Sequence, residues 1–316
     1  MKNIKVFTSG NMKWTPFGVF NPDDIPFLNS HGITIVPNVK NADIIVSQNL
    51  KHLKKFLLKY SFTKKFLLWT NEPRFDTTNG QIKNMFLGLS RVHIMNVYNQ
   101  QVFHSTTPFN YSFFRSSLDL LPADYKLENK KVVALMSFYK GLQTENVMIH
   151  GIDVDLIKKR TEIALYGNKI NAIDVYGKGW PDGISLEDSR EGDWSTRKRD
   201  LLNPYHFNLA FENTSALNYI TEKIWDSIEN YCLPIYYGDN GIYDLFPQDS
   251  FIDYSQINNP KTLFEIIENM SDQEYMTRLN KCIEVYQHFH SKDESFFVKE
   301  RNISLENIVH TLRKIV

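Results

Sequence analysis

Two Rossmann-like α/β domains facing a cleft are the fold class the sequence predicts, on three observations. Short apolar strands alternate with helices or turns through the first 125 residues. The alternation returns, more clearly, from residue 126 to the end. Two of the later strands run into glycine, at Gly177 and Gly238. The polar stretch Pro122–Lys131 reads as a linker, so the expected domains are 1–125 and 126–316.

In the first domain the predicted strands are Lys5–Thr8, Ile33–Pro37, Asp43–Ser47, Phe66–Thr70 and Val92–Val97, with a helix over Lys51–Tyr60. In the second, Val132–Ser137 is a strand, and Asp153–Tyr166 a helix opened by an aspartate cap and closed by Gly167. Ile173–Tyr176 and Phe207–Phe211 are strands. Thr221–Cys232 is a helix with Ile220, Ile224, Ile228 and Tyr231 along one face, and Leu233–Tyr237 is the next strand. Asn259-Pro260 opens a helix with proline at its first position. Ser271-Asp272-Gln273-Glu274 is a capping box. Ser304 caps a last helix whose inner stripe is Leu305, Ile308, Val309 and Leu312.

A chain of 316 residues, 42% apolar, can fill two cores. Its 36 basic and 36 acidic residues are mixed, and no basic face for nucleic acid is apparent. The runs Lys158-Lys159-Arg160 and Arg197-Lys198-Arg199 read as solvated surface, or as contacts for phosphate or an anionic membrane. Two cysteines, Cys232 and Cys282, exclude a disulfide scaffold and a metal site of cysteine pairs, and fit a reducing compartment. The N-terminus turns polar at Thr8, and no window approaches 18 uninterrupted apolar residues. A cytoplasmic protein is expected, with peripheral membrane contact left open.

In an open parallel sheet, ligands bind beyond the carboxyl ends of the strands. Polar residues gather at such a place: Phe207–Phe211 runs into Glu212-Asn213-Thr214, and a turn leads to Tyr219-Ile220-Thr221-Glu222-Lys223 at a helix start. Helix N-termini favour anions, so Lys223 in the first turn is a mild misfit unless it adds charge to a phosphate site. Arg160 is suited to gripping phosphate oxygens, though a solvated helix face also explains it. Glu72 follows a strand and is either a turn residue before Pro73 or a general base in the cleft. Asp153-Val154-Asp155 is a D-x-D that reads as helix capping or as a metal ligand set. Gly177-Lys178-Gly179 is a weak nucleotide loop. No H-E-x-x-H, G-x-S-x-G or G-x-x-x-x-G-K-[ST] occurs, which removes support for zinc protease, serine hydrolase and P-loop ATPase.

The segment FNLAFENTSALNYITEKIWDSIENYCLPIYYG, residues 207–238, resembles the signature of the α-1,3/α-1,4-fucosyltransferases, in its bacterial form. Ile173-Asp174-Val175-Tyr176-Gly177 is similar to the family's V-D-V-Y-G strand, and Trp69-Thr70-Asn71-Glu72-Pro73 resembles its T-G-E-N segment. The resemblance implies a GT-B fold and an inverting transfer of L-fucose from GDP-fucose to a GlcNAc-containing glycan of surface-polysaccharide type. The resemblance also implies no obligatory cofactor and a divalent metal that is at most stimulatory. It implies that Asn213, Tyr219, Glu222 and Lys223 contact the donor, Glu222 through the ribose hydroxyls. Lys223 and Arg160 then hold the diphosphate, and Glu72 is the base. Asn71 departs from the family's glycine, and Thr214 from its serine. A transferase using another nucleotide sugar, and a non-catalytic carbohydrate-binding protein of this fold, remain alternatives.

Overall fold

The computed structural model describes residues 3–140, 145–188 and 194–316. The chain divides into two compact units. The first comprises Met1–Ser105, Ile149–Gly151 and Val298–Val316, and the second Thr106–Met148 and Ile152–Phe297. This division falls earlier than the expected 125/126 because the intervening segment is drawn into the second unit's core. There Phe114, Leu118 and Leu127 are buried among Trp225, Tyr286 and Phe289.

In the first unit, β1 (Ile4–Thr8), β2 (Ile33–Ile35), β3 (Ile44–Ser47), β4 (Lys65–Trp69), β5 (Ile82–Met85) and β6 (Ser90–Met95) form one sheet in the order β2-β1-β3-β4-β6-β5. All pairs are parallel except β5 with β6. Helix α1 (Asp24–Ser30) joins β1 to β2, and α2 (Leu50–Tyr60) joins β3 to β4. The α2 residues Leu53 and Leu57 are fully buried against Ile45, Phe66 and Leu68, which fixes the helix on the sheet. The chain crosses from one side of β1 to the other between β2 and β3, so a crevice opens at the carboxyl ends of β1 and β3. The expected strand Val92–Val97 stops at Met95, because the Asn96 side chain accepts from the N–H groups of Tyr98 and Asn99 and starts a turn.

In the second unit, β7 (Val132–Leu135) is followed by the two-residue strands β8 (Met148–Ile149) and β9 (Ile152–Asp153), then α3 (Ile157–Lys169), β10 (Ile173–Tyr176), β11 (Ser185–Glu187) and α4 (Trp194–Leu202). Then come β12 (Phe207–Leu209), α5 (Glu222–Glu229), β13 (Leu233–Tyr236) and β14 (Ile252–Asp253). The helices α6 (Tyr254–Ile257), α7 (Pro260–Asn269) and α8 (Asp272–His290) complete the second unit, and α9 (Glu294–Ile315) belongs to the first unit from Val298 on. The sheet is wholly parallel, in the order β11-β10-β7-β12-β13-β14. Counted along the chain this is 3-2-1-4-5-6, the doubly wound order, with its reversal between β7 and β12. Strands buried on both faces read as continuous apolar runs, as Leu233–Tyr236 does.

Four helix ends differ from expectation, α5 stopping at Glu229 and not at Cys232. Helix α3 starts at Ile157, and its cap residue Leu156 makes no side-chain capping bond. The Asp153–Asp155 segment is instead held extended: the Val154 N–H donates to the Val147 carbonyl, and the Val154 carbonyl accepts from the Ser215 N–H. Gly167 lies inside α3, where a Cβ would stand 2.3 Å from the Phe264 ring and 2.6 Å from Ile173 Cγ2. It is a packing notch, not a helix stop. Helix α9 starts at Glu294, so Ser304 is interior and shares a hydrogen bond with His104 Nδ1 at 3.0 Å. The predicted stripe Leu305, Ile308, Val309 and Leu312 is buried. Asn259 and Ser271 cap α7 and α8 as expected, each side chain accepting from a first-turn N–H.

Gly167→Ala forces a methyl group into the Phe264–Ile173 contact. The expected cost is about 1–3 kcal/mol, read as a lowered midpoint in urea unfolding. Unchanged stability would show that α3 is free to lift from the sheet.

Candidate functional site

Five of the predicted site residues, Arg160, Asn213, Tyr219, Glu222 and Lys223, lie in the second unit around the carboxyl end of β12. That strand borders the reversal of the sheet. Pairing persists beyond the strand, with the Ala210 N–H on the Ile235 carbonyl and the Glu212 N–H on the Tyr237 carbonyl. Glu212 therefore enters the site rigidly, and its side chain is completely buried.

The Glu212 carboxylate organises the start of α5. One oxygen accepts from the Thr221 N–H at 2.7 Å, the other from the Thr221 hydroxyl at 2.7 Å and from Lys223 Nζ at 3.3 Å. Thr221 is the cap residue of α5, but its hydroxyl makes no capping bond to its own helix. It donates to Glu212 and accepts from Lys223 Nζ at 2.7 Å. Glu222 Oε1 accepts from the same ammonium at 3.4 Å. Lys223 thus has three acceptors for its three donors. This answers the misfit of a cation in a first helical turn: a buried anion stands in front of it.

The charges perturb one another. Burial raises the Glu212 carboxyl above its ordinary range, against the pull of Lys223. Burial acts to raise Glu222 as well, but Lys223 and Lys198 outweigh it and hold Glu222 down at about 2. Burial disfavours the charged Lys223, yet Glu212 and Glu222 push its value up, so it stays protonated. The alternation continues along α5. Lys198 pairs with Asp226, one turn beyond Glu222, and Arg115 reaches Asp226 at 3.4 Å and Glu229 at 2.7 Å.

Arg160 comes to the site from α3 and is buried. Its Nη1 donates to Asn213 Oδ1 at 2.8 Å, and its buried Nε–H has no acceptor among the described residues. Burial lowers its value, partly offset by Tyr139, Asp155, Tyr219 and Glu212 around it. The solvated-face reading of Arg160 therefore fails. The D-x-D aspartates serve the backbone: Asp153 accepts from the Asp155 N–H at 3.1 Å, and Asp155 from the Ile157 N–H at 3.5 Å. Among the described residues no group of three or more His, Cys, Asp or Glu side chains is placed to hold a metal ion. Gly177 (φ 156°) is required by the Met136 carbonyl, which lies 2.1 Å from where a Cβ would be.

Glu72 lies in the first unit, exposed in the loop after β4, its N–H held by the Thr70 hydroxyl at 3.0 Å. It lines a pocket of about 330 Å³ with Asn11, Trp14, Asn49, His52 and Phe75 among its walls. These residues follow β1, β3 and β4, so the pocket occupies the crevice that the strand order creates. Aromatic faces beside amide and hydroxyl groups suit a sugar ring. Sequence reasoning singled out none of these walls but Glu72, because they come as isolated polar or aromatic residues from the three connections after β1, β3 and β4. It also assigned no role to Glu212, although the signal was there: a carboxylate directly after an apolar strand.

The family description "Glycosyltransferase family 10 (fucosyltransferase) C-term" matches residues 144–310. A 4-galactosyl-N-acetylglucosaminide 3-alpha-L-fucosyltransferase of Gorilla gorilla gorilla is 35% identical over 104 residues, 31% of this chain and 24% of that protein. A GDP-fucose protein O-fucosyltransferase 3 of Bos taurus is 30% identical over 187 residues, 54% of this chain and 38% of that protein. An alpha-(1,3)-fucosyltransferase of Helicobacter pylori is 39% identical over 62 residues, 20% of this chain and 13% of that protein. The chain spans less than half the length of each of these relatives. A crystal structure of an alpha1,3-fucosyltransferase with GDP-fucose aligns with TM-score 0.47 at 16% identity, covering 92% of this chain and 91% of that one.

Two measurements probe the cluster. Thr221→Val keeps the shape but leaves Glu212 and Lys223 each short of a partner. The expected loss is about 2 kcal/mol, and a neutral effect would mean that water replaces the hydroxyl. Glu222 is held below its ordinary 4.5, so its stabilisation is complete above that pH and disappears as pH falls toward about 2. Glu222→Gln should be less stable than the native chain at neutral pH and match it near pH 2 in urea titrations. A gap independent of pH would remove the ion-pair explanation.

Proposed function

The chain belongs to glycosyltransferase family 10, the fucosyltransferases, and on that premise we propose that it moves L-fucose from GDP-fucose to a hydroxyl of a GlcNAc-containing glycan, inverting the anomeric carbon. The observation that carries the reading is the convergence of Arg160, Asn213 and Lys223 at the reversal point of a doubly wound sheet. Nucleotide phosphates bind at such points.

The donor carries its own leaving group. As the bond between the fucose anomeric carbon and the β-phosphate oxygen breaks, its electron pair stays on the diphosphate. Fixed cations there stabilise that charge without reorganising. Arg160 has an Nε–H still to be matched, which a phosphate oxygen satisfies. Lys223 must release one acceptor to reach a phosphate. Glu222 is the one to leave, being 42% exposed at its side chain where Glu212 is 0% exposed. Ribose hydroxyls that engage Glu222 draw it away and turn one Lys223 N–H to the diphosphate. The acceptor oxygen attacks the anomeric carbon from the opposite face, and its proton passes to Glu72. The Glu72 pocket is the acceptor site in this reading. The protein works in the cytoplasm, at the membrane periphery.

Lys223→Ala and Arg160→Ala should each weaken GDP binding and lower transfer about a hundredfold. Glu72→Ala should bind GDP normally and lose transfer. A panel of nucleotide sugars and of glycan and peptide acceptors, read by thermal shift and product mass, tests the substrates. Turnover of a different nucleotide sugar in preference to GDP-fucose would replace the donor. Failure to bind any nucleotide would reduce the protein to a carbohydrate-binding module.

A further inference from the structure

The chain is neutral overall, but its first unit is not evenly charged. From Ile44 to Asn71 there are six lysines and no Asp or Glu. Lys51, Lys54, Lys55 and Lys59 are exposed along α2, and Lys64 and Lys65 follow it at the start of β4. The register that pairs Leu67 with His93 sets Lys65 beside Arg91. Burial, then Lys65, Lys314 and Arg91, hold the His93 imidazole below its usual value, which brings the C-terminal turn of α9 into the same cluster of cations. Asp43, at the same end of the sheet, is already engaged by the Lys5 N–H at 2.8 Å.

Apolar side chains stand among these cations. The β5–β6 hairpin turns through Phe86, Leu87 and Gly88 at φ 50°, 56° and 89°. Left-handed backbone is costly for Phe and Leu, and a turn shaped for water would place Asn or Gly there. Leu87 is fully exposed, at 107% relative exposure, and Leu89 beside it is exposed. Phe62, just after α2, is 87% exposed, and Leu58 on α2 is exposed too. The two groups share one end of the sheet: the Ser90 hydroxyl donates to the Leu57 carbonyl at 3.3 Å.

We propose that this end of the first unit, formed by the Phe86–Leu89 turn, Leu58, Phe62 and the lysines of the last turns of α2 and the start of β4 (Lys55, Lys59, Lys64 and Lys65), docks on an anionic phospholipid surface. Lysines meet lipid phosphates while the protruding apolar side chains enter the headgroup boundary. Charge complementarity selects an anionic surface, and the apolar tip selects a bilayer over nucleic acid, which offers such side chains no apolar phase. The Glu72 pocket lies at the opposite, carboxyl end of the same strands. A strand of this length spans roughly 15 Å, so docking leaves the pocket mouth clear of the lipid.

The test is co-sedimentation of the full chain with phosphatidylcholine vesicles, with and without phosphatidylglycerol, at low and high salt. Binding should require the anionic lipid and fall with salt. Leu87→Asp with Leu89→Asp should lower partitioning at least about tenfold, and Lys55→Glu with Lys59→Glu and Lys65→Glu should abolish the anionic preference. Both variants should keep the native melting temperature and native activity on a soluble acceptor. Equal binding to neutral vesicles, undiminished binding by the Leu87/Leu89 variant, or binding to duplex DNA without any to vesicles would each overturn the proposal.

Discussion

A single buried carboxylate governs the second unit's working end. Glu212 is fixed by sheet pairing that continues past its strand, and it has no access to water. An isolated carboxylate there would be too costly to keep charged. It is offset by an N–H, a hydroxyl and an ammonium, all supplied by two residues at the start of α5. One interaction thus sets where the helix begins, keeps Lys223 protonated, and frees the cap hydroxyl from its ordinary task. Breaking it would displace the strand end, the helix start and the cation together.

The two units use different strand orders but obey one topological rule. The first reads 2-1-3-4-6 along its parallel strands from β2, with reversal between β1 and β3, and its pocket opens there. The second reverses between β7 and β12, and its cations gather there. In each case neighbouring connections leave on opposite faces of the sheet, and the gap between them is what a ligand fills. The side chains differ: a buried guanidinium and an ammonium in one unit, aromatic and amide surfaces in the other.

Much of this was legible in the sequence because long apolar runs cannot hide. Ile173–Tyr176 is a strand with the predicted bounds, and the α5 stripe of Ile224 and Ile228 is buried. The cluster at the end of β12 was readable as a dense polar segment after a strand. What escaped depends on tertiary contacts. Ile82–Met85 is half-exposed at a sheet edge, so its pattern carries little strand signal. The start of α3 depends on pairing with residues 214 and 215, more than fifty positions away. The aspartates of Asp153-Val154-Asp155 look like caps in isolation, but backbone pairing claims that segment first. Arg160 reads as a surface residue because nothing local shows that Asn213 covers it.

The missing methyl group at Gly167 links packing to reach. Arg160 sits two turns before it on α3, and the helix can lie as close as it does only because Phe264 and Ile173 fill the vacancy. The depth at which the guanidinium sits is therefore gauged by an apolar contact remote from any ligand. Across relatives, the volumes at these three positions should vary in compensation. A larger residue at one would be matched by smaller ones at the others, so that the cation keeps its station while its neighbours drift.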